Sequence, residues 1–197
     1  ICQGMPGVLP VINRRAIEFA IRTALALHCT INAGCRFARK HYFYPDLPSN
    51  YQRTSTPIAT GGSLANAAIT EVHLEEDPGR YDLKTGLVDY NRAGVPLLEI
   101  VTDPVIGSPE HARKFLDELS AVHGYLDAAR PESSGSMRAD ANISIEGHNR
   151  VEVKNMNSFR GVFSALTYEI SRQRNMIRNG RRIGCTTLKI FCACCEV

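Results

Sequence analysis

Hydrophobic and polar side chains alternate strictly over residues 136–146, which is the clearest pattern in the chain. A period of two predicts a β-strand with one apolar and one polar face. Residues 147–149 favour a turn, and the alternation resumes over residues 150–154. We therefore predict an antiparallel hairpin. Five side chains lie on its polar face: Arg138, Asp140, Asn142, Glu152 and Lys154.

Three other segments show the spacing of apolar residues that is typical of amphipathic helices. Each begins at a residue that caps helices well, namely Asn13, Ser108 or Ser158. Pro109 at the first helical position strengthens the second prediction, and residues 179–180 (Asn-Gly) predict the end of the third helix. The predicted apolar stripes are Ile17, Ala20, Ile21, Ala24, Leu25 and His28, then Phe115, Leu116, Leu119 and Val122, and finally Val162, Phe163, Leu166 and Ile170.

Shorter apolar runs at residues 69–74, 87–90 and 97–101 predict three more strands. Residues 31–62 are predicted to form a loop region. Helices and strands are interspersed, and the best-defined strands form a hairpin. The pattern therefore predicts an α+β fold with a mainly antiparallel sheet.

Composition narrows the class of protein. Of the 197 residues, 44% are hydrophobic and 22% are charged, which is too apolar and too balanced for a disordered chain. No apolar run approaches the ~18 residues of a membrane span. The net charge of +3 is too small to argue for nucleic-acid binding by itself. The chain begins with Ile1 and shows no signal-peptide pattern, so we expect a segment of a longer protein.

The seven cysteines predict a reducing compartment, because their number is odd and their distribution does not suit a disulfide framework. Four of them lie in the last thirteen residues: Cys185, Cys192, Cys194 and Cys195. Their spacing lacks a CxxC pair and no histidine is near, so the cysteine-rich end is not expected to be a zinc site.

Acidic residues supply the candidate metal ligands. The run Glu75-Glu76-Asp77 ends a predicted strand, and it is either a carboxylate cluster for Mg²⁺ or an acidic turn in water. Glu99 shares a predicted strand face with Leu97 and Val101. A carboxylate on an apolar face is costly unless it is paired or bound to a metal, although an edge strand with Glu99 in water is the alternative.

Basic and polar residues supply candidate binding sites. Residues 36–52 are either a packed surface loop or a loop that presents cations and tyrosines to an anionic ligand. The polar hairpin face is either an ordinary solvated sheet face or a recognition surface, and the second is favoured by three asparagines, which form strands poorly. A basic stretch near the end of the third helix is either a solvated helix end or a contact to nucleic-acid backbone. The residues concerned are Arg39, Lys40, Tyr42 and Tyr44 in the loop, Asn142, Asn155 and Asn157 near the hairpin, and Arg172, Arg174, Arg178, Arg181 and Arg182 in the basic stretch.

Six blocks of the sequence resemble, in order, segments of GatB, the carboxylate-activating component of the tRNA-dependent amidotransferases. The similar blocks are residues 2–13 (CQGMPGVLPVIN), 39–48 (RKHYFYPDLP), 73–77 (HLEED), 88–101 (VDYNRAGVPLLEIV), 135–142 (GSMRADAN) and 152–159 (EVKNMNSF).

The resemblance implies a function. Members of the family use ATP and Mg²⁺ to phosphorylate the side-chain carboxylate of Glu-tRNA(Gln) or Asp-tRNA(Asn). Ammonia from an amidase partner then displaces the phosphate, and a small third component completes the complex. The implied enzyme is a carbon–nitrogen ligase with glutamine as amido donor. We expect it to be cytoplasmic, with an organellar matrix as the alternative.

The resemblance also implies a fold and a set of site residues. The fold is that of the glutamine synthetase and guanidino kinase catalytic domains. By position, the implied metal ligands are Glu75 and Glu99, the implied catalytic residues are Lys40, Tyr42, Arg138 and Asp140, and the implied cofactor-binding residues are Asn142, Lys154, Asn155 and Asn157.

The chain also departs from the family pattern. A Glu-x-His segment that precedes Cys2 in the family is absent, the chain between Tyr51 and His73 is shorter, and Ala38 replaces an aspartate. The resemblance fades after about Asn175, near the end of the third helix. We therefore expect a partial catalytic domain at residues 1–178 and a divergent tail at 179–197, without the family's main tRNA-binding domains. A non-catalytic fragment that binds only the amidase or tRNA is the alternative, and an unfolded fragment is a third hypothesis.

Overall fold

The computed structural model describes residues 12–126, 137–184 and 186–189. In chain order its elements are α1 (Arg14–Ala26), β1 (Thr30–Ile31), β2 (Phe37–His41), β3 (Tyr51–Ser55), β4 (Ala59–Thr60), β5 (Ser63–Leu64), β6 (Ala67–Glu76), β7 (Arg80–Tyr81), β8 (Val88–Asp89), β9 (Pro96–Thr102), α2 (Pro109–Tyr125), β10 (Ala139–Ile143), β11 (Val151–Met156), α3 (Phe159–Arg178) and β12 (Thr186–Lys189). They fall into two units, Ile1–Val105 and Ile106–Val197.

Strand β6 is the centre of the first unit. Along one edge it pairs in turn with β5, β4 and β3, and along the other edge it pairs with β9 over most of its length. β2 extends this antiparallel sheet beyond β3, and β1 extends it beyond β4. The register with β9 shifts by one residue between Ile69 and Glu71. From Glu71 to Glu76, side chains of β6 that are separated by one residue point to the same face of the sheet.

Helix α1 covers one face of this sheet. The Asn13 side chain caps it by accepting a hydrogen bond from the backbone N–H of Arg15. Ala20 packs with Ile58 and Leu74 in the core beneath the helix. The predicted start and four of the six positions of the predicted stripe are confirmed. Leu25 and His28 are exceptions, because Leu25 is 56% exposed and His28 is exposed and lies beyond the end of the helix. Leu27, in the turn after the helix, is fully buried instead.

The prediction of a loop over residues 31–62 is wrong. β2 and β3 form an antiparallel pair there, with Lys40 opposite Gln52, and β4 follows. All five residues of β2 are exposed, so the strand lacks the alternation of apolar and polar residues by which strands are recognised. Its backbone hydrogen bonds to β3, which sequence pattern does not reveal, make it a strand.

The second unit contains the hairpin that the alternating pattern predicts. β10 pairs antiparallel with β11, and α3 packs on both strands through a core of Ile143, Val153, Met156, Val162 and Ala165. Ser108 caps α2 and Ser158 caps α3, as predicted. β10 is shorter than the predicted strand, and the register shift between Ala139 and Ala141 places one extra β11 residue opposite β10.

The coarse prediction of an α+β fold with mainly antiparallel sheets is confirmed; among the described strands only β11 and β12 pair in parallel. The predictions that concern Cys2 and the cysteines from Cys185 onward fall outside the described residues. Among the helices that the structure describes, none combines the length and apolar character that crossing a membrane would require.

Candidate functional site

Two carboxylates, Glu75 on β6 and Glu99 on β9, lie on the same sheet face, opposite to the face that α1 covers. Glu75 pairs with Leu97 and Glu99 pairs with His73, so the two glutamates are diagonal neighbours across the strand pair. Partial removal of the Glu99 carboxyl group from water, together with the negative charge of Glu75, raises the pKa of Glu99, although the charges of His73 and Lys40 oppose the rise. The two carboxylates therefore repel one another at a single site.

Strand β3 orients the carboxylate of Glu75. The Thr54 hydroxyl donates a hydrogen bond to Glu75 Oε1 over 2.9 Å, and Gln52 Nε2 approaches Oε2 at 3.4 Å. Gln52 is itself buried, and its Nε2 also donates to the backbone carbonyl of Glu76 over 2.8 Å. The position of Glu75 is thus set by side chains of the neighbouring strand.

His73 lies beside the two glutamates, on the same face of β6. Its Nδ1 lies 2.9 Å from the carbonyl oxygen of Ser55, and its Nε2 lies 3.0 Å from a carboxylate oxygen of Glu71. Burial alone would lower the pKa of His73, but these two acceptors outweigh it and the pKa is raised. Sequence reasoning missed His73 and Glu71, although both alternate with apolar residues on the strand that carries Glu75.

Lys40 and Tyr42 join the same site from β2 and the loop that follows it. Lys40 lies opposite Gln52, on the face that Gln52 and Thr54 share, and its charge acts on Glu99. Burial and then the charges of Asp46 and Glu75 raise the pKa of the Tyr42 phenol. Four residues predicted from the resemblance thus converge in the first unit: Lys40, Tyr42, Glu75 and Glu99.

The other two members of the proposed ligand-presenting loop pack elsewhere. The Arg39 guanidinium lies 5.1 Å from the centre of the Tyr51 ring, and Tyr44 meets Tyr81 edge-to-face at 5.8 Å. Of the four side chains in the ligand-presenting alternative, the structure therefore places only Lys40 and Tyr42 near the glutamates. Strand alternation separates Arg39 from Lys40, and only Lys40 faces the glutamates.

The acidic run does not form one carboxylate cluster. Glu75 faces Glu99, whereas Glu76 points to the opposite face and pairs with Arg53. Asp77 is buried and accepts a hydrogen bond from Arg92 Nε over 3.0 Å. Of the two alternatives for this run, the three-carboxylate cluster is therefore not formed, because Glu76 and Asp77 each pair with an arginine.

Four predicted residues of the second unit lie on the polar face of the β10–β11 hairpin. Lys154 Nζ lies 3.8 Å from an Asp140 carboxylate oxygen and 3.2 Å from one of Glu152. Arg138 and Asn142 are exposed on the same side of the hairpin. The register shift of β11 lies beside Asp140, where the backbone of residues 154–155 opposes it. Asn157 follows β11 and is exposed.

The donor set of the first unit fits Mg²⁺ better than a transition metal. Within the described residues, no group of three or more histidine, cysteine, aspartate or glutamate side chains is arranged to hold a metal. Mg²⁺ commonly takes one or two protein carboxylates and completes its shell with water and phosphate oxygens, whereas structural Zn²⁺ needs four protein ligands. The Glu75–Glu99 pair meets the first requirement, and a cation would relieve its repulsion.

Comparison with known proteins identifies relatives along nearly the whole chain. A family model described as the GatB/GatE catalytic domain matches residues 1–194, which extends past the predicted boundary at residue 178. The chain is 54% identical over 185 residues to the B subunit of the aspartyl/glutamyl-tRNA(Asn/Gln) amidotransferase of Methanobrevibacter smithii, covering 93% of this chain and 41% of that protein.

Proteins of the same name from two other organisms show similar sequence identity and coverage. The Methanocaldococcus jannaschii protein is 53% identical over 190 residues, covering 93% of this chain and 40% of the relative. The Methanospirillum hungatei protein is 50% identical over 198 residues, covering 92% and 42%. The chain therefore spans about two fifths of the length of these curated relatives. The chain belongs to the GatB/GatE catalytic-domain family.

Proposed function

We propose that the chain supplies the catalytic domain of the GatB component of a tRNA-dependent amidotransferase, a carbon–nitrogen ligase that uses glutamine as amido donor. Its substrates are Glu-tRNA(Gln), Asp-tRNA(Asn) or both. Family membership over residues 1–194 supports this proposal, and so do the names of the relatives. An amidase, a small third component and misacylated tRNA are the proposed partners, and the cytoplasm is the proposed compartment.

The proposed reaction has two steps. The γ-phosphoryl group of ATP passes to the side-chain carboxylate of the aminoacyl group, which gives ADP and an acyl phosphate. Ammonia then attacks the acyl carbon, and inorganic phosphate leaves as the amide forms. A carboxylate is a poor electrophile because its oxygen is a poor leaving group, and phosphorylation removes that obstacle.

The observation that carries the proposal is the shared face of Glu75 and Glu99. Burial of Glu99 and then the negative charge of Glu75 raise the pKa of Glu99, and a cation bound between the two carboxylates would offset both costs. A Mg²⁺ ion held there would neutralise charge on the phosphoryl oxygens during transfer. Thr54 and Gln52 hold the Glu75 carboxylate in one orientation, which reduces the reorganisation needed for binding.

The remaining predicted residues are assigned roles by their charge. Lys40 supplies a positive charge close to Glu99, and we assign it and Tyr42 to contact with the reacting carboxylate or ammonia. In the second unit, Arg138 and Lys154 provide cations for phosphate or carboxylate groups. Asp140 holds Lys154, and we assign the amides of Asn142, Asn155 and Asn157 to the ribose or base of ATP. We further propose that the fold is of the glutamine synthetase and guanidino kinase catalytic type.

Metal binding tests the site separately from the reaction. Mn²⁺ substitutes for Mg²⁺ and is detected by electron paramagnetic resonance, so the chain is titrated with Mn²⁺ alone. We expect Glu75→Gln combined with Glu99→Gln to abolish this binding. Glu18→Gln is the matched control, because Glu18 is a partly exposed acid of the same unit that pairs with Arg14. Equal affinity in the double variant and the control would refute the metal assignment.

Activity is measured after reconstitution with the amidase and the small third component. We expect ATP hydrolysis that misacylated tRNA stimulates, and loss of that stimulation in the Glu75/Glu99 double variant. If the chain binds Mn²⁺ through these glutamates but hydrolyses no ATP with its partners present, the catalytic proposal fails and the non-catalytic alternative stands.

A further inference from the structure

Helix α3 presents one continuous exposed face that contains no carboxylate. Its six positions recur at intervals of three, four and seven residues, so they lie along one side of the helix. They are Arg160, Ser164, Thr167, Ser171, Arg174 and Arg178. At 1.5 Å per residue this face, which we call the arginine face, is about 27 Å long.

The charges of the arginine face are not compensated within the described part of the chain. Arg160, Arg174 and Arg178 are exposed and make no ion pair there. Residues 158–184 contain six arginines, no lysine and a single acid, Glu169. Glu169 is buried and holds Arg172 through two hydrogen bonds of 2.7 Å. Arg172, which the sequence placed in the basic stretch, is therefore not part of the exposed charge.

The neighbouring helix α2 shows the ordinary pattern for a solvated helix. Its exposed Arg113 pairs with Asp117, and its exposed Lys114 pairs with Glu118, each four residues apart. Two helices of the same unit thus differ in the way their surface charge is balanced. The difference indicates that the exposed arginines of α3 have a role other than making the helix surface soluble.

The helix dipole explains only part of the arrangement. Arg174 and Arg178 lie near the C-terminus of α3, where positive charge is favourable. Arg160 lies in the first turn, where the dipole disfavours a cation, and that turn contains no acid. Beyond the helix, Arg181 and Arg182 are also exposed and continue the run of positive charge.

We propose that the arginine face binds the phosphate backbone of RNA. Guanidinium groups pair with phosphate oxygens through two parallel hydrogen bonds, and basic residues clustered along one helix face are the electrostatic footprint of nucleic-acid binding. The Thr167 and Ser171 hydroxyls donate to the carbonyls of Phe163 and Thr167, four residues back in each case. Because these side chains are short, the surface between the arginines is recessed, and an RNA backbone can approach the helix closely.

Two features favour RNA over an anionic membrane surface. A helix that lies in a membrane interface inserts its apolar face into the lipid. The apolar face of α3 is already buried, because Val162 and Ala165 pack in the core of their own unit. Beside the arginine face Tyr168 is 71% exposed, and an exposed aromatic ring can stack on an unpaired base.

This inference rests on the proposed function only for the choice of tRNA as probe. Contacts to phosphates require no ATP, ammonia or aminoacyl group. The test therefore uses uncharged tRNA, without nucleotide and without partner proteins, and measures its dissociation constant by fluorescence anisotropy at several salt concentrations. A failure of the amidation reaction would leave this measurement unaffected.

Arg174→Gln combined with Arg178→Gln removes two positive charges from the face, and Arg113→Gln combined with Lys114→Gln removes two from α2. We expect the first pair to weaken tRNA binding roughly tenfold or more at 0.1 M salt and to reduce the salt slope by roughly 0.7 to 0.9 per lost contact. The α2 pair should bind as the unmodified chain does. Arg174→Lys with Arg178→Lys keeps the charge and should retain most of the slope.

Protection of arginine side chains from phenylglyoxal, read by mass spectrometry, tests the unmodified chain directly. Bound tRNA should protect Arg160, Arg174 and Arg178 and leave Arg113 reactive. The proposal is overturned if the chain shows no salt-dependent tRNA binding, or if the α2 and α3 variants lose affinity equally. It is also overturned if the arginine face binds vesicles containing an anionic phospholipid and not tRNA.

Discussion

The hydroxyl of Thr54 donates a hydrogen bond to Oε1 of Glu75 over 2.9 Å, and the two residues face one another across the β3–β6 strand pair. Glu75 belongs to a block that resembles the family, whereas nothing in the sequence pattern distinguishes Thr54. The contact shows how a side chain of a neighbouring strand orients one carboxylate of the Glu75–Glu99 pair.

Thr54→Val tests this orienting role. Valine keeps a similar shape but cannot donate to Glu75, and loss of a partner that orients a metal ligand typically costs about tenfold or more in affinity. We expect Mn²⁺ binding to weaken by about tenfold, with little change in thermal stability. Thr60→Val on β4 serves as the control. Unchanged Mn²⁺ affinity in Thr54→Val would mean that the hydrogen bond has no part in the site.

Gly79→Ala tests how the loop that carries Tyr42 is held. A methyl group at Gly79 would lie 2.9 Å from the carbonyl oxygens of Asp46 and Asp89, and 2.8 Å from the Tyr90 ring. The Gly79 N–H also donates to the Asp46 carbonyl over 2.7 Å. The added methyl group would therefore force the backbone segments at Gly79 and Asp46 to move apart.

We expect Gly79→Ala to lower the free energy of unfolding by about 1–3 kcal/mol. It should also reduce tRNA-stimulated ATP hydrolysis more than it reduces Mn²⁺ binding, because Glu75 and Glu99 lie on strands that do not contact the added methyl group. Gly34→Ala is the control, since a methyl group there meets nothing within 4 Å. Wild-type stability and activity in Gly79→Ala would contradict the close packing described here.

Arg172→Met tests the buried pair on α3. Glu169 is 1% exposed, and its carboxylate is held by Arg172 and by Gln173 Nε2 at 2.8 Å. Removing the arginine leaves a buried charge without its cation, which typically costs 3–5 kcal/mol. Because the Arg172 side chain is 31% exposed, we expect a smaller loss of about 2–3 kcal/mol in urea unfolding.

The double variant Glu169→Met with Arg172→Met removes both charges and should recover to within about 1 kcal/mol of the original chain. If the double variant is instead as unstable as Arg172→Met, the loss arises from packing and not from the unpaired carboxylate.

His123 makes stability depend on pH. Burial lowers its pKa, and its Nδ1 has no hydrogen-bond partner among the described residues. In the unfolded chain the pKa of histidine is about 6.5, so below that pH the unfolded state binds more protons than the folded state. The contribution of neutral His123 to the free energy of unfolding is therefore at its full value above about pH 6.5. It decreases as the pH falls toward the lowered pKa of His123 in the folded state.

We expect the free energy of unfolding to fall between about pH 7 and pH 5, and His123→Leu to reduce that slope. His148→Asn changes an exposed histidine and should leave the slope as it is. An identical slope in His123→Leu and the original chain would show that His123 does not contribute.

Local signals in the sequence were sufficient for all three helix starts and for one hairpin. Asn13, Ser108 and Ser158 cap their helices through hydrogen bonds to backbone N–H groups two or three residues away. The β10–β11 hairpin followed from alternation, because one of its faces is buried and the other is solvated. In each case the physical cause lies within a few residues of the signal.

Interactions between distant segments decided the candidate site. The sequence, through its resemblance to a family, indicated Lys40, Tyr42, Glu75 and Glu99, but their convergence depends on the register of four strands. A shift of one residue in β9 would turn Glu99 to the opposite face. The same strand pairing places Thr54 and His73 beside the glutamates. Glu76 and Asp77 lie away from the site, where each pairs with an arginine.

Sequence alone therefore determined the order of the main elements, the coarse fold class and the family to which the candidate residues belong. Tertiary structure decided that residues 37–41 and 51–55 are strands, which of the acidic residues share a face, and which arginines of α3 remain exposed. The physical reason is that capping and alternation act over a few residues. Charge pairing and strand register instead depend on atoms that the chain brings together from far apart.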